Sequence, residues 1–335
     1  MIGVALVGLG DWSEVLAQQI ARSSRVRLIS VFARREQRRA DFARMYGCKA
    51  AGSYEELLQD PEVQGVILAT PNSVHEEQIR LAAEFGKSVL VEKPISASIE
   101  QAKRISEIAA ENSIVIAVGH NSRRRPESRM LKQLITEGRI GESVMVEGTF
   151  SHDRGLRLRA GEWRWAREEC PTGPLIQLGI HHADTLHYLF GPVRSVFGMQ
   201  KRLHSAADID DTTVTVFEFE SGCLGYIGSS YATAATYRIV VYGTRGQLFY
   251  DDSLGFFKVD VSGGAERIKI SVPKQSVAAS LLEEIDEFAD CISQRRQPEV
   301  TVQDGLRAVA LVAAAELSAR EGRLVSIHEV LNAPR

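Results

Sequence analysis

Val89-Leu90-Val91-Glu92-Lys93-Pro94 is a short apolar, β-branched run that stops in an acid, a base and a proline. Such a run, closed by a residue that cannot continue a central strand, reads as a buried strand whose carboxyl end opens into a site. In open α/β sheets ligands bind beyond those ends, so Lys93 faces a ligand more readily than a core. An amine there polarises an oxygen, or exchanges a proton with it once burial or a neighbouring cation favours the neutral form. Histidine is the other group that carries a proton near neutrality without help. His181, His182 and His187 gather in one apolar segment, Gly173 to Phe190. His181, Asp184 and His187 are spaced by threes, which is not the i, i+4 pair of a helical zinc site, so no metal is expected.

Ahead of these groups the chain supplies the elements that must position them. Ile2 to Val7 reads as a strand, followed at once by Gly8-Leu9-Gly10-Asp11-Trp12-Ser13 and a helical pattern with Val15, Leu16, Gln19 and Ile20. Strand, glycine turn and helix make the dinucleotide fingerprint. Its first glycine turns the chain, its second admits the pyrophosphate, and its third place must be small. Gly8, Gly10 and Ser13 fill the three places, and the helix amino terminus beyond them offers amides and a positive dipole end to phosphate. The second strand, Val26 to Phe32, runs into Ala33-Arg34-Arg35, where the fingerprint would place a ribose-binding acid. An arginine there pairs with a 2′-phosphate, whereas an aspartate would repel it, so NADP is expected in preference to NAD. The alternative is that Arg34, Arg35, Arg38 and Arg39 form the solvated face of the next helix.

Strand and helix go on alternating through Gly65 to Thr70, a helix containing Gln78 to Phe85, the Lys93 strand, a helix from Ile99 to Glu111, and Ile114 to Val118. That predicts a doubly wound parallel sheet, with polar loops at its carboxyl edge from Thr70 to His75 and from Gly119 to Arg123. After a helix from Met130 to Glu137 the texture changes. Ser143 to Phe150, Val193 to Lys201, Thr212 to Phe219, Gly225 to Ser230, Tyr237 to Tyr242 and Gly246 to Tyr250 alternate apolar with polar residues between turns. They predict an open, largely antiparallel sheet with one covered face. A helix pair, Ala279 to Ser293 and Asp304 to Arg320, follows. The fold class is thus α/β, a Rossmann domain over 1–122 and an α+β domain over 123–335.

A length of 335 residues favours two domains, and 44% hydrophobic with 25% charged residues is a soluble composition. The net charge of -3 supplies no basic field for nucleic acid. Cys48, Cys170, Cys223 and Cys291 show no CxxC spacing, which predicts free thiols rather than disulfides or zinc. Neither a signal peptide nor a membrane span is legible, so a cytoplasmic protein is expected.

Taken in order, GLGDWS (Gly8 to Ser13), ATPNSVH (Ala69 to His75), VEKP (Val91 to Pro94), VGHNSRR (Val118 to Arg124), WRW (Trp163 to Trp165) and GPLIQLGIHHADTLHYLFG (Gly173 to Gly191) resemble the Gfo/Idh/MocA oxidoreductases, as do EIDEFADCI, DGLRAVAL and SAREGRLV near the carboxyl end. This is the glucose–fructose oxidoreductase and inositol dehydrogenase family, and the resemblance runs nearly end to end. It implies a nicotinamide domain, then a domain whose open sheet forms a homodimer or homotetramer interface. It implies that Lys93 lies beside the nicotinamide and the reacting hydroxyl, and that the bond before Pro94 is cis. By the same resemblance Thr70, Pro71, Asn72 and His75 border the cofactor with Gly8, Gly10, Asp11, Trp12, Ser13, Arg34, Arg35, Glu92, Lys93 and Pro94, and His181 is an acid or base. Many members carry an aspartate four residues before that histidine, where this chain has Gln177, which can hydrogen-bond but not supply charge.

Oxidising a secondary alcohol by hydride transfer needs a base within hydrogen-bond reach of the hydroxyl proton. Lys93 and His181 are the catalytic candidates, with His181 the base and Lys93 polarising the oxygen. Substrate contacts are expected from Lys93, Asn121, Arg123, Trp163, Gln177 and His181. Arg123, Arg124, Arg125, Arg154, Arg157 and Arg164 can give the pocket a positive rim for an acid or phosphate-bearing substrate, or be solvated or pair with Glu127, Glu162 and Glu168 instead. The expected partner is a small molecule, a sugar, polyol or related cyclic alcohol. The alternatives are a cyclic diol, a sugar nucleotide, or a cofactor-binding sensor that has lost turnover.

Overall fold

The computed structural model describes residues 1–261, 267–273 and 276–333. They form two compact units, one from the described residues of Met1–Asn121 and Gln275–Leu306, the other from those of Ser122–Lys274 and Arg307–Arg335.

The first unit is built on six parallel strands, β1 (Ile2–Val7), β2 (Val26–Phe32), β3 (Lys49–Ala50), β4 (Gly65–Leu68), β5 (Ser88–Glu92) and β6 (Ile116–Gly119), in the spatial order β3-β2-β1-β4-β5-β6. Helices α1 (Asp11–Arg22), α2 (Glu36–Tyr46), α3 (Tyr54–Gln59), α4 (His75–Glu84) and α5 (Ile99–Glu111) connect them. The order reverses at β1 and β4, and a doubly wound sheet opens its ligand crevice at such a switch point. β1 ends in the glycine turn, β4 ends in the Thr70 loop, and β5 ends at Lys93. Strands of a parallel sheet are buried on both faces, which is why β4 and β5 are buried at every position.

The second unit opens with α6 (Pro126–Thr136), which starts earlier than the periodicity suggests because Pro126 occupies its first turn. A nine-stranded sheet follows from β7 (Ser143–Ser151), β8 (Val193–Lys201), β9 (Thr212–Phe219), β10 (Leu224–Ser230), β11 (Thr236–Gly243), β12 (Gly246–Asp251), β13 (Gly255–Asp260), β14 (Arg267–Lys269) and β15 (Val325–Ser326). Its order is β14-β13-β12-β11-β7-β10-β9-β8-β15, and every pairing is antiparallel except β7 with β10. Helix α7 (Ile180–Phe190) lies on the inner face. It comes close because Gly148 of β7 has no side chain: a Cβ there would stand 3.0 Å from the His182 ring.

The carboxyl-terminal helices divide. Helix α8 (Val277–Gln294) was expected with the second domain by the division at 122, yet it packs in the first unit, where Leu281, Ile285 and Phe288 join the core of Val4, Leu6, Leu16, Ile20 and Leu90. Those three residues recur at helical spacing on one face, and the parallel sheet has a face that needs cover. Gly65 of β4 makes the fit, since a Cβ there would meet the Phe288 ring at 3.0 Å. The next helix, α9 (Val302–Glu321), contributes to both units, and α10 (Ile327–Asn332) ends the described chain. No helix of the described residues is long and apolar enough to cross a membrane.

Candidate active site

The candidate residues fall into two groups, one on each unit. On the first unit, Gly8 has φ +87°, a left-handed conformation, and a Cβ there would stand 2.6 Å from the Ala69 carbonyl oxygen. Only glycine fits both constraints. Gly10 precedes α1 as its amino-terminal cap in extended conformation, with no side chain capping the helix. A Cβ on Gly10 would meet nothing within 4 Å, so the space in front of the free amides is open. Ser13 is buried and its hydroxyl donates to the Gly8 carbonyl, so the third fingerprint position closes the turn from inside. Asp11 and Trp12 begin the helix on its exposed side. Uncapped amides, an open Gly10 and a clamped turn fit a dinucleotide pyrophosphate.

Arg34 and Arg35 are exposed at the end of β2, and among the described residues neither guanidinium forms an ion pair. Arg38 and Arg39 differ from a merely solvated face. Arg38 donates to the Leu9 carbonyl at 2.9 Å and pairs with Glu14 at 2.6 Å, and Arg39 donates to the Ala33 carbonyl at 2.7 Å. Both therefore brace the turns around the glycine motif.

At the ends of β4 and β5 the polar residues are tied together. Thr70 donates its hydroxyl to Gln78 at 2.6 Å. Pro71 and Asn72 begin a short turn of helix, with Asn72 buried. His75 is fully buried, with Nε2 3.1 Å from the Thr70 carbonyl and Nδ1 3.1 Å from that of Pro94. It joins the loop after β4 to the loop after β5. The Lys93–Pro94 bond is cis. The Trp12 indole donates to Glu92 at 2.6 Å, and Glu92 also accepts from the Lys93 amide at 3.3 Å. Burial raises the Glu92 carboxyl above its ordinary range, opposed by the Trp12 hydrogen bond and the Lys93 charge. Lys93 itself is half-buried. The Asn121 amide donates to the Ser280 hydroxyl at 3.2 Å inside this unit.

On the second unit, Leu175–Gly179 forms a π-helical turn leading into α7. Single π turns concentrate at functional sites because they re-aim side chains relative to the α-helix that follows. Gln177 accepts from Arg164 Nε at 3.3 Å. His181 Nδ1 lies 3.0 Å from the Ser122 hydroxyl, and the Ser122 carbonyl accepts from Ser128 at 2.8 Å. Ser122, which sequence reasoning did not single out, thus orients His181. The available signal was its place in the polar loop after β6. Of the other histidines, His182 is fully buried and burial pushes its imidazole down to about 4, against the effect of the Thr149 carbonyl. His187 donates Nδ1–H to the Ala183 carbonyl at 2.7 Å. Neither is the proton carrier that His181 can be.

Arg123 does not form a rim. Its side chain and that of Asp184 are 5% and 0% exposed, joined by Nε to Oδ2 at 2.9 Å and by a second, parallel bond. The pair fixes α7 to the segment carrying Ser122, and breaking it from one side would cost about 3–5 kcal/mol because a buried charge is left over. Trp163 does not stand open as a flat platform, because the Arg164 guanidinium lies 4.0 Å above its ring.

Comparison with known proteins finds matches for both units. A family described as "Oxidoreductase family, NAD-binding Rossmann fold" matches residues 2–120, and the GFO/IDH/MocA C-terminal domain matches residues 128–249. Scyllo-inositol 2-dehydrogenase (NAD(+)) of Bacillus subtilis is 30% identical over 281 residues, 81% of this chain and 80% of that one. The 1,5-anhydro-D-fructose reductase of Ensifer adhaerens is 27% identical over 90% of this chain and 91% of its own. Among solved structures, one from Desulfitobacterium hafniense assigned as an NADPH-dependent oxidoreductase superposes with a TM-score of 0.93 at 35% identity, over 99% of both chains. Levoglucosan dehydrogenase in complex with NADH shares the fold, with a TM-score of 0.89 at 21% identity over 97% of this chain and 99% of that one. With both family domains matched in order and relatives aligned along most of their length, the chain belongs to the Gfo/Idh/MocA family of NAD-binding oxidoreductases.

Proposed function

We propose that this protein transfers a hydride between NADP and a secondary alcohol or ketone of a sugar, polyol or related cyclic alcohol. A bound nicotinamide dinucleotide supplies the hydride acceptor or donor. The Gly8 turn and the free amides of α1 hold its pyrophosphate, with Trp12 and Glu92 fixing the wall beside it. Lys93 polarises the reacting oxygen. His181 takes the hydroxyl proton on Nε2 when Nδ1–H donates to Ser122, and returns it in the reverse direction. Gln177 does not act on the proton; its carbonyl is engaged by Arg164.

The observation that carries the cofactor choice is the end of β2, where Arg34 and Arg35 stand exposed and no acid replaces them. A 2′-phosphate gains charge-assisted hydrogen bonds from either arginine, while the 2′-hydroxyl of NAD lacks the acid that would accept from it. Fluorescence titration is expected to give tighter binding of NADPH than of NADH, and the double variant Arg34→Gln, Arg35→Gln is expected to weaken NADPH by about tenfold or more. Equal affinities in the unaltered protein would overturn the preference.

Self-association belongs to the same proposal. The strand register sets Met145, Met199, Val214, Val216 and Leu224 on one face of the nine-stranded sheet, and all five are exposed. An apolar sheet face of that extent favours pairing with a second copy. Sedimentation equilibrium is expected to show a dimer or tetramer, and a Val214→Lys, Val216→Lys variant a monomer; a monomer for the unaltered chain would refute this. Free thiols at Cys48, Cys170, Cys223 and Cys291 support a reducing, cytoplasmic setting.

A further inference from the structure

The second unit holds two cations that the mechanism does not use. Arg164 is half-buried, and among the described residues its only hydrogen bond is from Nε to Gln177. Neither terminal nitrogen has a carboxylate partner. Arg154 is half-buried and likewise forms no ion pair among the described residues. Three acids of this unit have partners of their own: Asp153 pairs with Arg157, Asp210 with Arg167 at 3.4 Å, and Glu162 accepts from the Arg159 amide at 3.0 Å. Burial, and next the charge of Arg154, push the Arg164 guanidinium below its ordinary pKa. A guanidinium does not lose its proton in response, so the two positive charges stand partly desolvated, and Glu162 opposes the shift on Arg164 only by its charge, without an ion pair among the described residues.

Their surroundings are built rather than incidental. The Arg154 amide donates to His152 Nδ1 at 3.1 Å, and the His152 ring stacks on Tyr231 at 5.1 Å and 20°. Gly155 lets this loop dock, because a Cβ there would strike the Tyr231 side chain at 2.6 Å. Phe150 meets both His152, at 6.4 Å, and His181, at 5.7 Å. Arg164 lies over the Trp163 ring and is bonded to Gln177, one turn before His181. Both arginines are therefore linked by packed side chains to the group assigned the substrate's proton.

From this arrangement we infer that the substrate carries an anionic group, a carboxylate or a phosphate, which is received by Arg164 and Arg154. The inference deepens the proposed function and rests on His181 marking the substrate's reacting end. A guanidinium whose Nε is held by Gln177 presents its two terminal nitrogens in a fixed fork, the geometry that matches such oxygens. Gln177 is consistent with this: an aspartate bonded to Arg164 would neutralise the cation, while an amide orients it and leaves its charge available.

Calorimetric titration of the full chain, with and without NADP, tests this with D-glucuronate and D-glucose 6-phosphate against D-glucose. At least one acid is expected to bind about tenfold or more tightly than D-glucose, the size of one charge-assisted hydrogen bond, and to weaken as salt is raised. Preference for glucuronate identifies a carboxylate and preference for the 6-phosphate a phosphate ester. Arg164→Gln is expected to bring the acid-to-neutral ratio close to one, and Arg164→Lys to keep more of it. Arg154→Gln, which removes a half-exposed side chain with only a backbone bond, reports the same ratio should Arg164→Gln fail to fold. Failure of both acids to bind more tightly than D-glucose, or a preference that survives both glutamine variants, overturns the inference. Because the titration is read without cofactor as well, a protein that binds acids but not NADP would fail the proposed function alone.

Discussion

Lys93→Met is expected to lower kcat by about a thousandfold while changing NADPH affinity by no more than about threefold. Methionine keeps the length and apolar stem of lysine and removes only the ammonium, so the end of β5 keeps its packing. The proposed phosphate contacts come from Gly8, Gly10 and the amides of α1, at the end of β1 rather than of β5. What disappears is the positive charge beside the reacting oxygen. That charge stabilises a developing alkoxide, a contribution realised in the transition state rather than in the bound ground state, so kcat falls and substrate KM changes little. A second effect concerns Glu92. The Lys93 charge is one of the influences lowering the buried Glu92 carboxyl, so its removal lets that pKa rise further. The Trp12 hydrogen bond still favours the ionised form, which limits the change. Single-turnover measurements with saturating NADPH give the answer directly, and undiminished turnover would remove Lys93 from the mechanism.

His181→Ala is expected to cost about 10²–10⁴-fold in kcat, the usual range for loss of a general acid–base group. NADPH binding should again be preserved, because His181 lies on the second unit and the glycine turn on the first. The Ser122 hydrogen bond makes the prediction sharper. If Nδ1–H donates to Ser122 Oγ, the lone pair of the neutral ring stands on Nε2, which is the atom that takes the proton. Ser122→Ala removes that restraint without removing the base, so its loss should be about tenfold and should appear in kcat rather than in KM. The double variant should be no slower than His181→Ala alone, since orienting an absent ring has no value. A pH–rate profile separates the roles. The ionisation that limits the rate at low pH should vanish in His181→Ala and persist, displaced, in Ser122→Ala. An unchanged profile in His181→Ala would show that another group carries the proton.

The glycine turn, the arginines after β2, the Lys93 strand end and the histidine segment were all legible in the sequence for a common reason. Each depends on backbone geometry or residue type within a few positions: Gly8 because its conformation excludes a side chain, Pro94 because it ends a strand, and the alternating strands because one face is buried. The fold class followed from the same local periodicities, which read off β1, β2, β4 and β5 and the longer strands of the second sheet. The six-residue β13 and three-residue β14 went unseen, as did β3 and β15, whose two residues each are too few to show a period.

What tertiary structure alone decided was the partner of each polar group. Arg38 and Arg39 read as surface until their guanidinium groups were found on backbone carbonyls of the preceding turns. Arg123 read as a ligand contact until Asp184, 61 residues away, was found to hold it. His181 has Gln177 rather than an acid four residues earlier, and its Nδ1 meets Ser122, 59 residues away. Helix α8 read as the start of a closing helix pair, but its apolar face covers a sheet begun some 270 residues before. Hydrogen bonds and salt bridges act over about 3 Å and carry no record in residue spacing, whereas burial of a strand or helix face repeats along the chain. The sequence by itself therefore determined which chemistry the chain could perform, and the tertiary structure decided which charges are already paired and which remain to meet a ligand.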